Sequence, residues 1–128
     1  MDSTSILKAF NDHFVDFLED VQNVFPNDSV ILTAKNALVT IRKTNPKLII
    51  KIWREYIVSK YEDQIINGDI SFFIDKDYSN DLTYMDGSNV IVEKINLLRA
   101  PIKNMGEENQ QKCMLYIKNL TKLSKMYN

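Results

Sequence analysis

The sequence predicts an all-α protein: a compact single-domain bundle of five to six helices over residues 1–128. Three observations carry this. Apolar residues recur at three- and four-residue steps through long windows, the period of an amphipathic helix. Helix breakers are scarce, with three glycines and three prolines among 128 residues. Those breakers stand mostly where a periodic window ends, as punctuation should. A hydrophobic fraction of 45% and a charged fraction of 26% suit a folded globule whose core needs neither disulfide nor metal.

The first helix is expected over about residues 4–24, starting near Ser3 or Thr4. Ile6, Phe10, Phe14, Phe17, Val21 and Val24 form its inward stripe, and Asp12, Asp16, Glu19 and Asp20 stand off it. The "FPND" stretch ends it, and Asp28 or Ser29 caps a second helix over about 29–43 by accepting a bond from a free backbone N–H. Val30, Ala34, Leu38 and Ile41 make one face of that helix. Asn45-Pro46 stops it, because proline disfavours helical geometry in the residue before it.

The third helix, about 46–66, is the most hydrophobic and is expected at the centre of the core. Its stripe is Ile49, Ile52, Trp53, Tyr56, Ile57, Tyr61 and Ile65. Gly68 suits a left-handed residue just past the C-terminus. Asp69 then caps the short apolar turn "ISFFI", with Phe72 and Phe73 plugging the end of the core; a β-strand is the competing assignment. After a loop, Ser88 or Asn89 caps a helix of about 89–99 with Val90, Ile91, Ile95 and Leu98 inward, ended or kinked by Pro101. The last helix, about 106–125, has Glu107 and Glu108 at its positive end and Lys118, Lys122 and Lys125 in its final turns, both matching the helix dipole.

The net charge of −1 hides segregation. Residues 1–28 carry −5, 29–60 carry +6, 61–93 carry −7 and 94–128 carry +5. Alternating blocks suit acidic and basic helices that neutralise one another side by side. Within the basic blocks, Lys43, Lys47, Lys51 and Arg54 follow helical spacing with Trp53, Tyr56 and Tyr61 interleaved, the composition of a surface that grips phosphates and stacks on bases. Pro46 interrupts that register, and the aromatics share the apolar stripe, so an acidic protein surface or the protein's own acidic helices are the better match. Lys118, Lys122 and Lys125 make a second stripe of the same kind.

From Asp75 to Asp86, oxygen-bearing side chains fall at the alternate positions of a calcium-binding EF-hand loop. Asn80 stands where that loop needs glycine, Asp86 replaces the long bidentate glutamate, and Gly87-Ser88 falls where the exit helix should run. The expectation is a polar surface turn and no bound metal. His13, flanked by Asp12 and Asp16, reads as a surface histidine stabilised by carboxylates. Cys113 is the only cysteine, so no internal disulfide exists; on the last helix it reads as a buried, inert thiol. Neither a phosphate-binding glycine loop, a C-x-x-C nor an H-E-x-x-H motif occurs. No enzyme and no cofactor is expected.

The phrases Phe25-Pro26 with Asp28, Ala34-Lys35, Ile41-Arg42-Lys43, Asn45-Pro46-Lys47, Trp53, Gly68-Asp69, Phe72-Phe73 and Lys76-Asp77-Tyr78 carry a likeness over residues 10–82. The stretch resembles a family of short, uncharacterised proteins of nucleocytoplasmic large DNA viruses, the mimivirus- and phycodnavirus-like giants. An excess of Lys, Ile and Asn agrees with AT-rich coding. The resemblance implies a viral protein acting in the host cytoplasm or packaged in the virion, and it supplies no catalytic residues. No apolar run approaches the ~20 residues of a membrane span, and the N-terminus has no signal-peptide pattern. The expected partner is a viral or host protein, with nucleic acid as the runner-up and a homo-oligomer left open.

Overall fold

The structure, a computed structural model, describes residues 2–75 and 88–127, apart from the side chains of residues 88 and 89. Every regular element among the described residues is helical, and no strand occurs. Helix α1 (Ser3–Val24) begins at Asp2, whose carboxylate accepts the Ser5 N–H at 2.8 Å. Helix α2 (Ser29–Thr44) begins at Asp28, which accepts from Val30 at 2.9 Å and Ile31 at 3.2 Å, so Asp28 rather than Ser29 is the cap. Asn45 ends α2 as the proline rule requires.

The predicted third helix is one rod in three parts: α3 (Leu48–Ile52), a π-helical turn (Trp53–Val58) and α4 (Ser59–Ile66). The π turn is an unpredicted feature. On an ideal helix the 61 and 65 positions drift well away from the direction of Ile49 and Trp53. Each residue absorbed by wider i→i+5 bonding turns the following chain back by about 100°. The wide turn and the kink at Tyr61 lie between Trp53 and Ile65, and both Tyr61 and Ile65 are buried. Tyr61 itself leaves helical geometry, at φ −126° and ψ 17°.

Gly68 has φ +72°, the left-handed conformation expected of it. Asp69 accepts the Ser71 N–H at 3.0 Å, and the "ISFFI" stretch is the short helix α5 (Ser71–Ile74), which settles the helix-or-strand alternative. Phe72 and Phe73 are buried as expected. The chain then forms α6 (Ser88–Asn96), α7 (Arg99–Lys103) and α8 (Glu107–Met126). The break between α6 and α7 falls at Leu97–Leu98, so Pro101 lies inside the first turn of α7, where its missing N–H has no helical partner to lose. The Arg99 Nε donates to the Phe73 carbonyl at 2.8 Å and ties α7 to α5.

Helix α1 packs along α8 and α2, and the α3–α4 rod crosses between them while α6 closes over α2 and α3. Trp53, 1% exposed, sits at this crossing. Its ring meets Phe10 and Phe14 edge-on at 6.3 and 6.0 Å, and its Nε1–H donates to the Thr121 hydroxyl of α8 at 3.1 Å. Asn11 is also buried and donates to the Pro46 carbonyl at 2.9 Å, pinning α1 to the α2–α3 turn. The predicted inward stripes need correction at their ends. Val24, Val30 and Val90 are exposed, while Leu18, Ile31 and Val92 are buried. The three valines lie in terminal turns of their helices; Val24 and Val30 line open surface concavities against α8 and the α6–α7 segment.

Trp53→Ala should cost about 3–5 kcal/mol in chemical denaturation, the range for an emptied aromatic core site. Thr121→Val keeps the shape but strands the indole N–H, and should cost about 1–3 kcal/mol. A Thr121→Val protein as stable as the parent would mean that the bond between Trp53 and α8 contributes nothing.

Candidate functional site

The two basic stripes predicted from sequence have different fates. Lys43 ends α2, Lys47 precedes α3 and Lys51 lies within it, so the four-residue spacing spans a chain break rather than one helix face. All three side chains are exposed and make no ion pair or hydrogen bond among the described residues. Arg54 is different. It is half-buried and donates to the carbonyls of Tyr127 and, at 3.5 Å, Ser124, so its charge closes the negative end of α8. That role was hidden in the sequence because the two ends of the contact lie 73 residues apart.

The segregated charges pair across blocks. Arg42 meets Asp12, Lys125 meets Glu62, and Lys103 meets Asp75 at 3.2 Å. Each pair joins a basic block to an acidic one, as neutralisation between neighbouring helices requires. Asp12 also takes Lys8, at 2.6 Å, and the bonds from Lys8 and then Arg42 hold its carboxyl below the usual range. These are exposed or half-exposed pairs, each contributing no more than about 1 kcal/mol.

The second stripe lines a groove. Lys118, Lys122 and Lys125 of α8 face Glu62, Ile65 and Ile66 of α4 across a concavity of about 320 Å³ with Thr121 at its base. Ile66 is 65% exposed, the most open large apolar side chain among the described residues. On the other flank of α8, toward α1, a second concavity of about 340 Å³ is lined by His13, Asp16, Asp20, Lys112, Leu115, Tyr116 and Asn119. Two carboxylates, Asp16 and Asp20, face one lysine, Lys112, there.

His13 does not have the predicted surroundings. Asp12 is taken by Lys8 and Arg42, and the imidazole is half-buried against Tyr116, ring centres 4.7 Å apart. Its Nε2 is buried without a hydrogen-bond partner. Burial lowers its pKa from the ordinary histidine value, and only the charge of Asp16 opposes that. Tyr116 donates its hydroxyl to Asp20, and burial with that bond raises its pKa. Cys113 is buried as predicted, with Met105 Sδ at 3.7 Å; burial, then the charge of Asp20, pushes its thiol up to about 12. Such a thiol stays protonated and unreactive at neutral pH.

Among the described residues no group of three His, Cys, Asp or Glu side chains is placed to hold a metal ion. The calcium-loop spacing from Asp75 to Asp86 lies, beyond Asp75 itself, outside the described residues. Among the described residues no helix is long and apolar enough to cross a membrane. Comparison with protein-family models, curated proteins and solved structures finds no match.

Two outcomes check this geometry. Arg54→Met should lower stability by about 1–2 kcal/mol through its lost carbonyl bonds, whereas Lys47→Met should change it by less than about 0.5 kcal/mol. For His13, the unfolded chain takes up a proton near pH 6.5 while the folded chain resists. Stability should therefore fall as pH drops below about 6.5, level off below the lowered folded pKa, and be unaffected by this group above neutrality. His13→Gln should remove that part of the slope in melting curves taken across pH; an unchanged slope would place the titration elsewhere.

Proposed function

We propose that this chain is a non-enzymatic helical protein that acts through contacts with other proteins, using the outward side of α8 and the α4 edge beside it. The observation that carries this reading is the mixture there of open apolar side chains with lysines. Ile66, Leu115 and Met126 are 65%, 59% and 50% exposed, and Lys118 and Lys122 stand among them without an ion pair among the described residues. Aliphatic surface next to cations suits a protein partner, which can bury the one and pair the other; a phosphate backbone uses only the cations. Internal pairing of Arg42, Lys103 and Lys125 supports the same reading, since it removes charge that a polyanion would need. The likeness to giant-virus proteins points to a viral or host protein as the partner, and to a role in virion assembly or host-factor binding.

A second reading, an accessory nucleic-acid-associated protein, is favoured by the exposure of Lys43, Lys47 and Lys51. Salt dependence separates the two. A duplex grip loses about 0.9 log units of affinity per log of salt for each phosphate neutralised. On the protein-contact reading, random-sequence DNA or RNA binds weakly near physiological salt, and changing all three lysines to Ala leaves the salt slope alone. Sub-micromolar binding whose slope falls by about 2–3 in the triple variant would favour the nucleic-acid reading instead. Partners captured from cells that make the protein should likewise remain bound after nuclease treatment.

A further inference from the structure

The groove between α4 and α8 has a chemical character that narrows the partner. Its walls are aliphatic on the α4 side, Ile65 below and Ile66 above, and cationic on the α8 side. Glu62 engages Lys125, which leaves Lys118 and Lys122 as the charges open to an incoming group. They are four residues apart on one helix, so their ammonium groups are offset by about one 5.4 Å turn. Lys118 reaches over Gly68, its Nζ 3.4 Å from where a first side-chain carbon would stand. That distance is ordinary contact, so it is the positive φ at Gly68 that favours glycine there.

We propose that this groove docks an acidic amphipathic segment of a partner protein, its aliphatic side chains on the exposed Ile66 and its carboxylates on Lys118 and Lys122. The inference rests on the protein-contact reading above and names the partner's chemistry. Charge complementarity selects an acidic occupant, and the exposed isoleucine selects one that also brings apolar surface. A carboxylate pair one helical turn apart on the incoming segment matches the lysine spacing. Glu62 on the rim and the concave shape disfavour a flat anionic bilayer. Behind the groove, Thr121 accepts the Trp53 indole bond, so occupancy also has a fluorescent reporter.

The test uses the full chain, isotopically labelled, titrated with a synthetic helical peptide bearing leucines at i, i+4 and i+7 and glutamates elsewhere. Saturable amide shifts should map to residues 62–68 and 118–125, with a change in Trp53 emission. Lys118→Glu with Lys122→Glu should weaken binding about tenfold or more, and Ile66→Ser should weaken it too, each with an unchanged melting curve. A polyglutamate control should bind more weakly than the leucine-bearing peptide. Absence of saturable shifts at millimolar peptide would overturn the proposal. So would equal binding of polyglutamate, stronger binding to phosphatidylserine vesicles, or indifference to the substitutions. Saturable shifts elsewhere on the surface would overturn the groove while leaving the protein-contact reading standing; tight, salt-sensitive nucleic-acid binding would overturn that reading itself.

Discussion

The indole of Trp53 is the constraint on which the rest of the bundle depends. A buried indole must both fill its volume and satisfy its single N–H. Here the ring does the first against Phe10 and Phe14 of α1, and Thr121 of α8 does the second. One side chain thereby sets the separation of three helices that are distant in sequence. Past Trp53 the segment carries a π turn and a kink at Tyr61, and it buries Tyr61 and Ile65 as well as Trp53. The aromatic series continues from Phe14 through Phe17 to Tyr116, so the seam is packed with rings along its length.

Electrostatics plays a second, weaker part. The acidic and basic blocks are large, yet the cross-block pairs are exposed or half-exposed and contribute little stability individually. Their effect is on what the surface offers. Arg42, Lys103 and Lys125 are engaged with carboxylates, and Arg54 is engaged with the end of α8. Among the described residues, uncommitted cations stand beside Ile66 on the α4–α8 groove, at Lys112 on the α1 side of α8, and around the α2–α3 break. The two sites on α8 adjoin open aliphatic side chains, Ile66 and Leu115, and that adjacency is what gives the protein-contact reading its weight.

The fold was largely legible in the sequence. The three- and four-step recurrence in α1, α2, the α3–α4 rod and α8 reflects burial of one helix face. The breakers at Pro46 and Gly68 act through backbone sterics, which are local. Caps such as Asp28 and Asp69 are local too, their bonds closing within three residues. For these the physics is complete within a short window, and reading along the chain suffices. The site was legible only in part: Lys118 and Lys122 were identified from spacing, but Ile65 and Ile66, which make the groove apolar, were read as core or passed over.

What only the tertiary structure decided are the features whose two ends lie far apart. Arg54 looked like a member of a phosphate-binding stripe until the end of α8 came within its reach. His13 looked like a surface histidine stabilised by Asp12 and Asp16, but Arg42 takes Asp12, Tyr116 covers the ring, and only the charge of Asp16 acts on it. Val24, Val30 and Val90 fit their stripes but stand in terminal turns that neighbouring helices leave partly open. Periodicity tells which side of a helix turns inward, because that depends on composition around one axis. How far a neighbour extends, and which charge it brings, depends on how several axes pack together, and that information is not contained in any single window of the chain.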